Sequence, residues 1–508
     1  MNYFLGIDVG TYETKGMLVD EKGKIVLTDF EPHTMEIPKP GYAEHDAEGV
    51  WWHDFCAISN RLIEKSKIDP ADIKGVGASA IGPCCLPLDK EGRPLRKAIL
   101  YGVDVRAEKQ IEKIKQELGE EYILERYGNP VTTQSIGPKI MWIKENEPDI
   151  YEKAEKFVTA STYLVMKLTD RCCIDHYTAA YFTPMYNLQE QDWDEENLDR
   201  FCRKDQLAEC LWTDEVAGTV TAQAAKQTGL KEGTPVIVGT ADAAADAVAA
   251  GVFHAGDVLT MFGSSVYMIH VVPELTTDPR YWAGPYLFKG TYMVASGMST
   301  TGMLTRWFRD EFAPDLLEAE KNGGKNAYQA LKDEIEGIRP GSEGLLVLPY
   351  FSGERTPIND PRARGVFMGL TLAHKRGHLY QAVLESVAYG IGQHFRGYRE
   401  IGMDTKRIVA VGGGTKTPKW MQIVSDVTGK ELYLGSVFGA SYGDALLAAK
   451  AVGYIKDERE LEEYISYQGK ISPDPARHEV YQKYLDKYIE LYEDTKEIMH
   501  SLSDMAQL

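Results

Sequence analysis

Two aspartates and three glycine-containing turns carry the residue types that phosphate chemistry needs. In GIDVGTYETK (residues 6–15), Gly10 lets the backbone approach a ligand closely, Thr11 and Thr14 offer hydroxyls, and Lys15 supplies a positive charge. Asp8 adds a hard carboxylate suited to a hydrated magnesium ion. The composition recurs in FGSS (residues 262–265), through Gly263 and Ser264. A third cluster, AVGGGTKTPKW (410–420), follows one apolar run and precedes another, and amides at such a helix start can receive a phosphate or a ribose. Each turn also has a plain structural reading, as a Gly-Thr hairpin turn or a tight strand-to-helix connection. Asp242, in GTADAAADA, follows a buried-looking strand and is flanked by alanines that let a substrate come close, which suits a general base. An aspartate at that place also serves as a helix N-cap. Asp246, one helical turn further on the same face, reads as a structural or solvated carboxylate.

The elements that must hold these residues are visible in the pattern. YFLGIDVG, KGMLVD and EKGKIVLTDF, with a turn-rich DEKGK, predict a strand meander. Apolar residues at helical spacing predict a helix over GVWWHDFCAISNRLIEK. Its Trp51-Trp52 pair either stacks on a ligand or packs the helix. A strand over IKGVGASA, a turn at DKEGRP and a helix from Arg106 to Leu118 follow. Near Gly233 the plan restarts with a strand (TPVIVG), a small-residue helix (ADAAADAVAAG) and the strand–turn–strand VLTMFGSSVYMIHVV. Two halves with the same opening suggest a duplicated architecture, with a boundary near residue 252. The tail from Pro473 to Leu508 reads as a helix.

At 508 residues the chain exceeds one ordinary core, so two domains are expected. A net charge of -20 argues against a nucleic-acid partner, which needs a concentrated basic surface, but not against a nucleotide. The longest apolar stretch, residues 236–253, carries Asp242 and Asp246 and is rejected as a membrane span. MNYFLGIDVG has no basic leader region, and seven cysteines without CxxC spacing suggest neither a disulfide framework nor a zinc site. A cytoplasmic location fits. No GxxxxGK[ST] motif occurs, which argues against a P-loop enzyme.

Taken together these segments resemble the FGGY family of carbohydrate kinases over nearly the whole chain. The most specific stretch is GVFMGLTLAHKRGHLYQAVLESVAYGI (365–391), which matches the family's carboxy-terminal signature at Gly365, Phe367, Gly369, Leu370, His378, Leu379, Ala382, Val383, Leu384 and Glu385. The preceding LPYFSGERTPINDPRARG looks like the xylulokinase-like branch. The other family signature is half present: Lys139, Trp142 and the following KEN match, whereas Gln134 and Ile136 depart.

The resemblance implies an α/β fold of two ribonuclease H-like, actin-type domains with the active site in the cleft between them. Residues 1–252 would carry the sugar site and the base, and 253–508 the nucleotide. It makes Asp242 the catalytic base and Asp8 the magnesium-side carboxylate. Gly10, Thr11, Thr14, Lys15, Gly263 and Ser264 would serve the phosphates of ATP, and Gly412, Gly413 and Thr417 the adenosine. Phosphoryl transfer asks for in-line positioning and charge neutralisation more than covalent chemistry, which these residue types supply. Asp104, next to Arg106 in YGVDVRAE, matches a segment bordering the sugar, with a surface salt bridge as the alternative.

Substrate-side residues depart from the pattern. Many xylulokinase-like members have a Met-His pair where this chain has Gly82-Pro83 followed by Cys84-Cys85, and a polar residue where it has Ala243. The expected reaction is therefore ATP-dependent, magnesium-assisted phosphorylation of a ketopentose such as xylulose or ribulose. The alternatives are another polyol or ketose, or an actin-like ATPase or sugar-sensing regulator that phosphorylates nothing. The partners would be a sugar and ATP, with no membrane; a homodimer stays open.

Overall fold

The computed structural model describes residues 1–435 and 439–506, so the last two residues of the predicted C-terminal helix lie outside the described residues. One compact unit comprises Met1–Ala255, Val271–Val294 and Val437–Ser466, and a second comprises Gly256–His270, Ala295–Ser436 and Tyr467–Leu508. Segments beyond residue 252 thus join the first unit, and one of them brings a buried aspartate to its sheet.

The predicted meander is present in the first unit as β1 (Tyr3–Val9), β2 (Glu13–Asp20) and β3 (Ile25–Pro32). Next in the chain come β4 (Ile73–Ala80), β5 (Val216–Thr219), β6 (Pro235–Ile237) and the two-residue β7 (Thr240–Ala241). The sheet order is β5-β6-β4-β1-β2-β3, with β7 also on β4. β1 and β4 are parallel, and β1 and β2 form an antiparallel hairpin. β1 is buried on both faces, so Leu5, Ile7 and Val9 all sit in the core with Val76 and Ala78 of β4.

Helices cover both sides of this sheet. Helix α1 (His53–Ser66) packs on β2 and β3 through Ile58 and Leu62. Trp51 and Trp52, just ahead of it, are buried; Trp51 donates to His45 Nδ1 and Trp52 stacks on Phe55. The pair packs the helix. Helix α2 (Asp242–Ala249) and the helix Ala440–Ala451 pack on each other, and the latter lies on β1 and β4. It comes so close that a Cβ on Gly77 would stand 2.3 Å from the Asp444 carbonyl oxygen, so only glycine fits there.

The second unit repeats the plan. Strands β8 (Asp257–Phe262) and β9 (Val266–Val272) form an antiparallel hairpin around FGSS. β8 runs parallel to β10 (Arg407–Val411), which continues through β11 (Leu432–Gly435) to β12 (Tyr467–Ile471). The predicted C-terminal helix spans Pro475–Met505. No helix is long and apolar enough to cross a membrane among the described residues. All seven cysteines are free thiols.

Candidate active site

Strand register assembles the first unit's site. Asp8 lies opposite Lys15 on β2 and opposite Ser79 on β4, while Ser79 lies opposite Thr240 on β7. Three parallel strands therefore end together, delivering Asp8, Ser79 and, one residue past β7, Asp242. Asp242 is half-buried and is the first residue of α2; Ala241 holds the cap position. Its Oδ1 accepts the Ala243 N–H at 2.7 Å, a bond to its own neighbour and not the N2 or N3 bond of a helix cap. Burial pushes the Asp242 carboxyl up to about 6, with the Ala243 N–H opposing. A carboxylate poised there suits general-base work near neutral pH.

Burial pushes Asp8 up to about 7, and the charge of Asp242 adds to it. Asp246 and Asp444 are also held well above the usual carboxylate range, first by burial and then by Asp8. The four carboxyl groups are thus linked through their charges, with Ser79 Oγ donating to Asp444 Oδ2 (2.7 Å) and lying 3.3 Å from Asp8 Oδ1. One oxygen of Asp246 and one of Asp444 are sealed without a hydrogen-bond partner. Lys15 pairs with Glu13 at 2.8 Å; burial works against its charge, but Glu13, Asp8 and Asp246 raise it. Hard oxygen donors under mutual repulsion fit a divalent cation. Among the described residues, no three acidic, histidine or cysteine side chains form a ready metal-ligand set.

A Cβ on Gly82 would stand 3.0 Å from Ala241 Cβ, which puts Gly82-Pro83 beside the residue that precedes Asp242. Tyr101, which the sequence reading missed, shares a 3.1 Å hydrogen bond with Thr11 Oγ1; burial raises its phenol, and the charge of Asp242 adds to it. Asp104 is sealed: its side chain is fully buried, Arg106 binds it through Nε and Nη2, and the Ala43 and Arg106 N–H groups complete its oxygens. The surface salt bridge is thus an interior one, and it leaves Asp104 no free oxygen. Lys139 is buried as well, donating to the Thr133 and Ser135 carbonyls, and burial pushes it down to about 8.

Thr14 differs from expectation. Strand alternation turns it inward, where its hydroxyl donates to Asp54 Oδ2 at 3.0 Å with no surface left for a ligand. Gly10 and Thr11, in the turn itself, keep partial exposure.

In the second unit a groove of about 660 Å³ is lined by Gly263, Ser264, Gly413 and Thr417, with Arg306, Lys332 and Lys416 as its charged residues. Three cations and no carboxylate line it, in a chain of net charge -20. Gly263 and Ser264 are exposed, and their carbonyls accept the N–H groups of Gly302 and Met303 at the start of the helix Gly302–Phe312. Gly412 has φ +94°, and a Cβ there would stand 2.6 Å from the Phe262 carbonyl oxygen, so glycine lets the third turn back onto the second. A larger groove of about 890 Å³ in the first unit contains none of the candidate residues, and its Lys167 and Arg96 are already paired with Glu48 and Glu147.

Family models match this chain twice: residues 3–249 match the N-terminal domain of the FGGY family of carbohydrate kinases, and residues 258–452 its C-terminal domain. The chain belongs to the FGGY family of carbohydrate kinases, with its two-domain, actin-like fold, and is an ATP-dependent kinase. It is 31% identical over 461 residues to a gluconokinase of Bacillus subtilis, covering 89% of this chain and 88% of that one. It is 28% identical over 504 residues to a xylulose kinase of Staphylococcus epidermidis, covering 98% of each. The crystal structure of xylulose kinase from Rhodospirillum rubrum superposes with a TM-score of 0.92 at 31% identity, covering 98% of this chain and 100% of that one.

Proposed function

We propose that this kinase transfers the γ-phosphoryl group of ATP to a hydroxyl of a ketopentose such as xylulose or ribulose, with Asp242 as the base. The carrying observation is Asp242 itself: a half-buried carboxyl at the end of aligned parallel strands, raised to about 6, one residue past Ala241, which Gly82 approaches. Asp242 takes the proton of the sugar hydroxyl as its oxygen bonds to the γ-phosphorus. The bond from that phosphorus to the β–γ bridging oxygen breaks, and ADP leaves with the electron pair.

Gly10, Thr11 and Lys15 serve the phosphates from the first unit, while Thr14 supports them from behind. Gly263, Ser264, Gly412, Gly413 and Thr417, with the cationic groove, serve the nucleotide from the second. Asp8 would hold Mg²⁺ through water; the ion, when bound, neutralises phosphate charge. Gly82 and Pro83 shape the sugar side, and Asp104 frames it without touching a hydroxyl. Seven free thiols agree with a reducing cytoplasm.

A second reading is a kinase for another polyol. It is favoured by Ala243 and Gly82-Pro83, which offer no side-chain hydroxyl or amide, and by the 31% identity to a gluconokinase. A coupled ADP-release screen across pentuloses, hexuloses, polyols and gluconate tests both. Turnover highest with a ketopentose supports the first reading, turnover highest with another polyol, another ketose or gluconate supports the second, and no sugar-dependent turnover contradicts both.

A further inference from the structure

We infer that His33 is a positioning residue that clamps the Gly10–Glu13 turn from behind, an inference resting on the assignment of that turn to nucleotide phosphate. His33 lies just past β3, which pairs with β2 beyond the turn. Its side chain is 7% exposed and that of Asp54, from the first turn of α1, 5%. The ring Nδ1 lies 2.9 Å from Asp54 Oδ2 and Nε2 lies 3.0 Å from the Gly10 carbonyl oxygen. The Gly10 carbonyl can only accept, so Nε2 donates to it, while Nδ1 faces the Asp54 carboxyl. The His33 backbone N–H donates to the Tyr12 carbonyl at 2.9 Å, and the turn closes on itself through Gly10 N–H to the Glu13 carbonyl at 3.0 Å.

Asp54 therefore grips the hairpin twice, at Gly10 through His33 and at Thr14 directly. Behind His33, the His45 ring packs edge-on at 5.3 Å and accepts the Trp51 indole N–H on Nδ1 at 3.0 Å. Burial, then the charge of His33, pushes His45 down to about 4. His45 is thus neutral packing, while His33 makes the polar link.

A turn containing glycine has conformational freedom that binding would have to remove. Phosphoryl transfer depends on donors already aimed where charge develops. The clamp fixes Gly10 and Thr14 from the protein side and leaves the exposed side of Gly10 and Thr11 clear. His33 touches no ligand; it acts through the Gly10 carbonyl.

The test compares His33→Phe, which keeps a ring but loses both polar contacts, with His33→Gln, which can keep one. Steady-state kinetics on the full chain, with the preferred sugar, should show the KM for ATP of His33→Phe rising about tenfold to a hundredfold. The KM for sugar should stay within about twofold and His33→Gln should recover part of the loss. An unchanged KM for ATP, or equal rises in both constants, overturns the clamp. Should His33→Phe fail to fold, Asp54→Asn must show the same split between the two constants, and its absence overturns the clamp. If the wild type shows no sugar-dependent turnover, the functional reading fails separately. Calorimetric ADP binding then decides the clamp: weaker binding by the variants supports it, and equal binding overturns it.

Discussion

Asp8 and Asp444, 436 positions apart in sequence, face one hydroxyl: Ser79 Oγ lies 3.3 Å from Asp8 Oδ1 and 2.7 Å from Asp444 Oδ2. A serine has one proton to donate, so two ionised carboxylates compete for it in a buried place. Burial raises both. Groups with raised folded-state values bind protons more tightly folded than unfolded, so their cost to stability grows as pH rises through that window.

Asp444→Asn removes one of these charges while keeping an acceptor for Ser79. It should raise the thermal midpoint of the ligand-free protein at about pH 8, with the gain shrinking towards about pH 5. Scanning calorimetry at both values checks this. A midpoint unchanged at both, or lowered at the higher pH, contradicts the reading of Asp444 as a buried repulsive charge.

The base must be ionised to accept a proton. With Asp242 at about 6, kcat/KM for the sugar should fall on acidification below that value, about tenfold per pH unit, and level off above it. A profile bending near the ordinary carboxylate value of about 4 would mean that the base is not desolvated as described.

Ala243 follows the base on α2 and carries no polar group. Ala243→Gln supplies one and should reorder the preferred sugars, shifting relative kcat/KM by about tenfold, with the KM for ATP unchanged. An unchanged ranking would remove this position from the sugar site.

Gly412→Ala forces a Cβ against the Phe262 carbonyl at a backbone angle alanine avoids. The KM for ATP should rise about tenfold or more while the KM for sugar holds. Loss of thermal stability with an unchanged KM for ATP would place the third turn outside the nucleotide site.

What was legible depended on locality. The turns at Gly10, Gly263 and Gly412 and the strand-end Asp242 are contiguous motifs, and the hairpins around them follow from alternation and turn residues. Thr14 was read as a phosphate donor for its hydroxyl and through the family resemblance; the strand's alternation turns it instead to Asp54. Asp104 read as bordering the sugar, yet Arg106 and the Ala43 amide enclose it. Asp444, Ser79, His33 and Tyr101 were not read at all. Their partners lie at separations from 21 to 365 residues, and no local pattern marks a contact that only the packing of distant segments creates. The Ala440–Ala451 helix looks like ordinary small-residue packing until Gly77 lets it close on β4.

The central claim is that Asp242 takes the proton of the sugar hydroxyl. Asp242→Asn keeps the shape and can still accept the Ala243 N–H, but it cannot take a proton. Its kcat should fall by at least about a hundredfold, the low end of general-base catalysis, while sugar affinity and the thermal midpoint stay close to wild type. An Asp242→Asn enzyme with kcat near wild type would contradict the mechanism.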